Sequence, residues 1–201
     1  MNKKPKIGVL VALEAELDIQ HLLQMGIEAV GVIGVGKVNA AIGTMDFLQK
    51  HPNLDLIINM GTAGSVHKTV GEVLRCTHFV QRDFELPFDG FEHFNTEQDF
   101  AEELLGQFPR LTNYKHTCST GDNFVHLDHH HEAIAIKADC IEMEAYAIAK
   151  VCKHFGKPFL ALKYVSDNTN SDSKEDWTES LQGRASKALI RDLAALLTEL
   201  A

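Results

Sequence analysis

The chain lacks several things, and each absence removes a class of protein. None of its apolar runs approaches the roughly 20 residues that cross a bilayer. The basic start, Met1-Asn2-Lys3-Lys4-Pro5-Lys6, leads straight into a short strand instead of an apolar leader with a small-residue cleavage site. A cytoplasmic protein with no membrane partner is therefore expected. Positive charge is scarce: 19 Lys and Arg against 28 Asp and Glu leave a formal net charge of −9, and affinity for nucleic acid depends on cations that neutralise phosphates. No nucleic-acid partner is expected on that ground. The four cysteines, Cys76, Cys118, Cys140 and Cys152, show no C-x-x-C spacing, so neither a zinc site nor a disulfide framework has support, and reduced, buried thiols are expected. No Pro/Gly/Ser-rich linker, repeat or low-complexity tract divides the 201 residues, which are read as one domain spanning 1–201.

What remains is an ordinary composition, 45% hydrophobic and 23% charged, arranged as short β-branched runs alternating with helical periodicity. That alternation is an α/β pattern. Strands are predicted over 6–12, 28–33, 54–60, 72–80, 114–119, 133–138 and 159–166. Helices are predicted over 14–24, 37–50, 97–107, 142–155 and 176–199. The fourth helix carries Ala147, Ile148, Val151, Cys152 and Phe155 on one face and is stopped by Gly156 and Pro158. The polar stretch Asn168–Glu175 is expected to form a mobile loop over the site.

Three acidic segments fall where strands end. Glu16 follows the first strand, Glu142 and Glu144 flank Met143 where an apolar run becomes a helix, and Ser166-Asp167 closes the late strand Phe159–Val165. In an open α/β sheet, the C-terminal ends of strands converge on one crevice. Three carboxylates meeting there suggest acid-base chemistry. Two glycine turns accompany them. Ile33-Gly34-Val35-Gly36-Lys37-Val38 opens a helix and lets backbone approach a ligand closely, but it lacks both the P-loop spacing and the acidic residue of a dinucleotide site, since Asp55 stands at the start of its strand. Asn59-Met60-Gly61-Thr62-Ala63-Gly64-Ser65 reads as a turn closing the third strand.

Taken singly, each acidic residue has a plainer reading. Glu142 or Glu144 would cap an amide or favour the helix dipole, Glu16 would be a solvated first-turn carboxylate, and Asp167 would make an Asx turn. Phe124 divides evenly between core packing and ligand stacking. The run His126–Glu132 has ligand-type side chains, but adjacent histidines in a polar link are more often solvated than metal-bound.

The ordered set Ile33–Val38, Met60–Gly64, Ser119-Thr120-Gly121-Asp122-Asn123-Phe124-Val125, Ile141–Ala145 and Val165–Asp167, with Glu16, resembles the purine nucleoside phosphorylase superfamily, most nearly its methylthioadenosine/S-adenosylhomocysteine nucleosidase branch. The resemblance runs from Ile7 to about Leu200. It implies a three-layer α/β/α sandwich around a mixed, partly barrel-like sheet, and hydrolysis of the N-ribosidic bond of a purine nucleoside without cofactor or metal. It implies Asp167 as the donor of a proton to N7 of the purine, with Ser166 orienting it. Glu144 would hold the ribose hydroxyls, with Glu142 beside it and Met143 packed on the sugar, and Glu16 would be the general base toward water. Phe124 would stack on the base, Val125 would read its edge through backbone groups, and Val35, Thr62, Ala63 and Gly64 would line the pocket. It also implies a homodimer whose neighbouring loop closes the site, for which Asp89–Phe94 is the candidate.

The nucleophile separates hydrolase from phosphorylase. Phosphate normally calls for arginine near the sugar, and Arg75, Arg82, Arg110, Arg184 and Arg191 all lie away from the glycine and acidic motifs. Water is favoured. Arg82 is the exception that could reach the crevice; otherwise it would form a surface ion pair with Asp83 or Glu85. Phosphorolysis, another purine nucleoside such as inosine or futalosine, and a non-catalytic nucleoside-binding module remain as alternatives.

Overall fold

The computed structural model of the chain describes residues 4–84, 104–125, 138–169, 173–181 and 183–200. One part of its sheet is built on β1 (Ile7–Val11), whose five residues are all buried, as befits a strand covered on both faces. β1 pairs in parallel with β2 (Ala29–Val32) on one side and β3 (Leu56–Gly64) on the other. Beyond β3 the sheet closes on itself. β3 runs parallel to β7 (Phe159–Asp167), β7 antiparallel to β4 (Val73–Gln81), and β4 parallel to β5 (His116–Thr120). β5 runs parallel to β6 (Cys140–Glu142), and β6 returns to β3 through the antiparallel pair Gly64 and Ile141. Five strands thus form a ring, with β1 and β2 extending it as an open wing.

Helices cover both faces. α2 (Lys37–Lys50) and α3 (Ala145–His154) share one apolar core with Leu10, Ile57 and Phe159. α1 (Ile19–Gln24) and α5 (Arg184–Leu200) share the other with Val9, Ile58 and Leu160. Ala185, Leu189, Leu193 and Leu196 recur at helical spacing along the buried stripe of α5. This is the three-layer α/β/α arrangement with a mixed sheet that the motifs imply. Among the described residues, no helix is long and apolar enough to cross a membrane.

Several expected boundaries move for local reasons. The helix predicted over 14–24 is broken: Glu14–Glu16 forms a single 3-10 turn, Leu17 is extended, and Asp18 starts α1 afresh by accepting a hydrogen bond from the His21 amide at 3.0 Å. The helix predicted over 176–199 divides into α4 (Ser173–Ser180) and α5, separated by Gly183 at a φ of 95°. Residues 173–175, the end of the stretch expected as a loop, therefore form the first turn of α4. Met60–Gly64, expected as a turn, continues β3 instead. The helix predicted from 142 begins at Ala145, because Cys140–Glu142 is recruited as the strand that closes the ring. A 3-10 turn at Leu111–Asn113 was not anticipated. The strand predicted over 133–138, most of the helix predicted over 97–107, the histidine run 126–132 and the loop 89–94 lie essentially outside the described residues.

The contact of α2 with β2 depends on Gly43. A Cβ there would lie 2.8 Å from the Cα of Ile33, a backbone atom that cannot swing aside. Helix propensity favours Gly43→Ala by about 1 kcal/mol, whereas overpacking costs about 1–3 kcal/mol. Net destabilisation in urea titration is expected; a more stable variant would show that α2 can move off the sheet freely.

Candidate active site

The C-terminal ends of β1, β3 and β7 and the end of β6 surround one cavity of about 280 Å³. Every residue predicted for the site lines it: Glu16, Val35, Thr62, Ala63, Gly64, Phe124, Val125, Glu142, Met143, Glu144, Ser166 and Asp167. The three candidate acid-base carboxylates are buried, with Glu16 6%, Glu144 7% and Asp167 3% exposed. That excludes the reading of Glu16 as a solvated first-turn residue.

Glu16 is held from two sides. Its Oε2 accepts from the Leu13 amide at 3.2 Å, and its Oε1 accepts from both the amide and the hydroxyl of Thr62, each at 3.1 Å. Gly61 provides the room, since a Cβ there would sit 3.1 Å from Oε1. Asp167 is aimed by an irregularity in the sheet. Ala63 pairs with Val165 but Gly64 pairs with Asp167, so Ser166 is an extra residue on β7, and such bulges re-aim the side chain that follows. The Ser166 hydroxyl donates to Asp167 Oδ2 at 2.8 Å, and the Thr169 amide donates to Oδ1 at 2.9 Å. The Asx turn proposed as the plainer reading thus exists, and it presents Asp167 to the cavity as well. Gly64 is required beside it, because a Cβ would approach Oδ1 to 2.9 Å.

Glu142 and Glu144 separate into different roles. Glu142 Oε2 accepts from Lys163 Nζ at 2.9 Å, from the Glu144 amide at 3.0 Å and from the Ala145 amide at 2.8 Å, while the Thr120 hydroxyl donates to Oε1. Burial works against its charge, but Lys163 and these donors outweigh it and hold its pKa below the usual carboxylate range. Its carboxylate stands at the cavity wall and at the same time caps the start of α3 and supports Glu144. Among the described residues, Glu144 accepts only the Gly36 amide, at 2.8 Å. Burial, reinforced by repulsion from Glu142, pushes its pKa up to about 7.

Arg82 reaches the cavity, as the sequence allowed, and is not a surface ion pair. It is 1% exposed. Its Nη1 donates to the carbonyls of Ser119 at 2.7 Å and Glu142 at 2.8 Å, and its Nη2 to those of Gly121 at 3.1 Å and Asn123 at 2.7 Å. The guanidinium ties together the ends of β5 and β6 and the turn that leads to Phe124. Phe124 is 42% exposed, so the core-packing reading falls and it stands at the cavity mouth. Its ring meets Trp177 edge-on at 6.4 Å. Trp177, Ala12, Leu13, Asn123, Ile141 and Thr169 also line the cavity without having been predicted. For Trp177 the available signal was a lone aromatic in the polar stretch after Asp167; for Asn123 and Ile141 it was their presence inside motifs already recognised.

The cysteines are buried and free, as expected. Their wide spacing concealed that Cys76, Cys118 and Cys140 meet on neighbouring strands, with sulfurs within 4.8 Å of one another. Burial pushes the Cys118 thiol well above its usual range, so it packs there as a neutral side chain.

Residues 22–201 match the family model of the phosphorylase superfamily. The chain belongs to that superfamily. Among its relatives, the 5′-methylthioadenosine/S-adenosylhomocysteine nucleosidase of Bacillus velezensis is 31% identical over 76% of this chain and 73% of its own. The nucleosidase of the same name from Shewanella halifaxensis is 30% identical over 87% and 91%. Two solved structures share the superfamily fold. The nucleosidase of Colwellia psychrerythraea in complex with adenine has a TM-score of 0.76 at 22% identity, covering 98% of this chain and 96% of its own. Futalosine hydrolase of Helicobacter pylori has a TM-score of 0.72 at 22% identity, covering 98% and 97%.

Glu144 gives the cavity a pH signature. Its folded-state pKa is raised, so its contribution to stability is fully present below the ordinary carboxylate range and is lost as pH rises through about 7. Thermal unfolding of the unliganded protein should show stability falling between pH 5 and pH 8, and Glu144→Gln should flatten that fall. An equally steep fall in the variant would contradict the assignment.

Proposed function

We propose that the protein hydrolyses the N-ribosidic bond of a purine nucleoside of the methylthioadenosine/S-adenosylhomocysteine type, releasing the free base and the 5′-substituted ribose. The observation that carries this reading is the convergence of Glu16, Glu144 and Asp167 in one buried cavity whose lining arginine, Arg82, has both terminal nitrogens occupied by backbone carbonyls. Breaking C1′–N9 places positive charge on the sugar and negative charge on the purine, so catalysis requires stabilising the first and protonating the second. Asp167, oriented by Ser166, donates a proton to N7. Glu16 removes a proton from the water whose oxygen bonds to C1′. Glu144 accepts hydrogen bonds from the ribose hydroxyls, and Met143 packs against the sugar. Phe124 lies against the base, Val125 meets its edge, and Val35 with Thr62–Gly64 complete the wall. Both proton transfers use side chains, so the scheme calls on no cofactor or metal.

The nucleophile is assigned as water because a phosphate dianion would face the Glu16 carboxylate, while the terminal nitrogens of Arg82, the arginine lining the cavity, are engaged by backbone carbonyls. Incubating the protein with methylthioadenosine, S-adenosylhomocysteine, adenosine, inosine and futalosine, with and without phosphate, should release free base without phosphate. Release only with phosphate would make it a phosphorylase, and saturable binding without release would make it a binding module. Asp167→Asn should reduce turnover at least about 100-fold, the scale on which a general acid acts; near-normal turnover would sink the role given to Asp167.

We also propose that the protein is a homodimer. Val38, Ile42 and Met45 form an exposed apolar stripe along α2, continuous with Val35 at the cavity. Sedimentation should report twice the chain mass, and Ile42→Asp should shift it to the monomer; a monomeric parent protein would refute the assembly.

A further inference from the structure

We propose that Trp177 is a positioning residue for Glu16, acting through the hydroxyl of Thr62; this rests on the base role assigned to Glu16 above. Trp177 lies on α4, and its indole Nε1 donates to Thr62 Oγ1 at 3.0 Å. The hydroxyl of Thr62 has one hydrogen. With its oxygen engaged as the acceptor of the indole N–H, that hydrogen is directed to Glu16 Oε1 at 3.1 Å, beside the bond from the Thr62 amide to the same oxygen.

The chain of donors therefore has a fixed sense, from indole to hydroxyl to carboxylate. An indole nitrogen is a donor only, so Trp177 cannot reverse it. Without Trp177 the Thr62 hydroxyl could rotate and compete for the attacking water, while Glu16 would keep, among the described residues, only the Leu13 and Thr62 amides. Trp177 also meets Phe124 across the cavity. The placement of α4, an element distant from Glu16 in sequence, is thereby linked to the base and to the aromatic ring assigned to the purine.

Two measurements separate this role from simple packing. Trp177→Phe keeps a ring but removes the donor. With methylthioadenosine as substrate, it should lower kcat about three- to tenfold, the scale of one hydrogen bond. In a Thr62→Val background, the same change should alter kcat less than about twofold, because the hydroxyl through which it acts is gone. An equal factor in both backgrounds, or an unchanged kcat in the single variant, would overturn the proposal. Trp177 is the sole tryptophan of the chain, so its fluorescence reads the contact with the indole left intact. Thr62→Val should shift its emission maximum, and an emission spectrum superimposable on the parent's would refute the contact. That second reading holds even if Trp177→Phe fails to fold or the parent protein releases no base, so failure of the proposed reaction and failure of this inference are told apart.

Discussion

The buried pair between Glu142 and Lys163 is the interaction on which the remainder of the site depends. Their side chains are each 2% exposed, and their charged atoms lie 2.9 Å apart. Two charges taken so far from water are tolerated only when their remaining hydrogen-bonding capacity is filled. On the carboxylate, Thr120 and the amides of Glu144 and Ala145 fill it. The pair joins β6 to β7, strands that are not neighbours in the ring, and the same carboxylate starts α3. Losing either partner would strand the other as an uncompensated buried charge, at a cost of about 3–5 kcal/mol.

The differences among the other carboxylates follow from this arrangement. Burial is the main reason that Glu144 holds its proton to a higher pH, and because Lys163 keeps Glu142 ionised two residues away, a fixed negative neighbour adds to it. Glu16 and Asp167 are placed by different means, a pair of Thr62 donors and a bulge at Ser166, yet both need glycine opposite them on β3. Gly61 and Gly64 are therefore consequences of carboxylate placement, and Arg82 gives the facing wall the same rigidity by collecting carbonyls from β5, β6 and the turn between them.

Much of this was legible in the sequence. β1, α2 and β7 emerge near their observed limits because continuous apolar runs and uninterrupted helical periodicity define them. The twelve predicted cavity residues were legible because they sit at strand ends within ordered motifs. The ion pair of Glu142 was not legible because its partner Lys163 lies 21 positions away, beyond any local pattern. The burial of Arg82 and the meeting of three cysteines on β4, β5 and β6 were hidden for the same reason: strand order in a closed sheet is not sequence order. Residues 140–142 read as the lead-in to a helix because a three-residue strand leaves too short a period to detect. Trp177 escaped notice because its neighbours are polar and its meaning lies in one hydrogen bond to Thr62.

The central claim is that this cavity directs water to the anomeric carbon of a purine nucleoside. Turnover of methylthioadenosine in water enriched in heavy oxygen, followed by mass spectrometry of both products, tests it most directly. The account predicts one heavy oxygen in the sugar product and none in the purine. A sugar product without the label would contradict it.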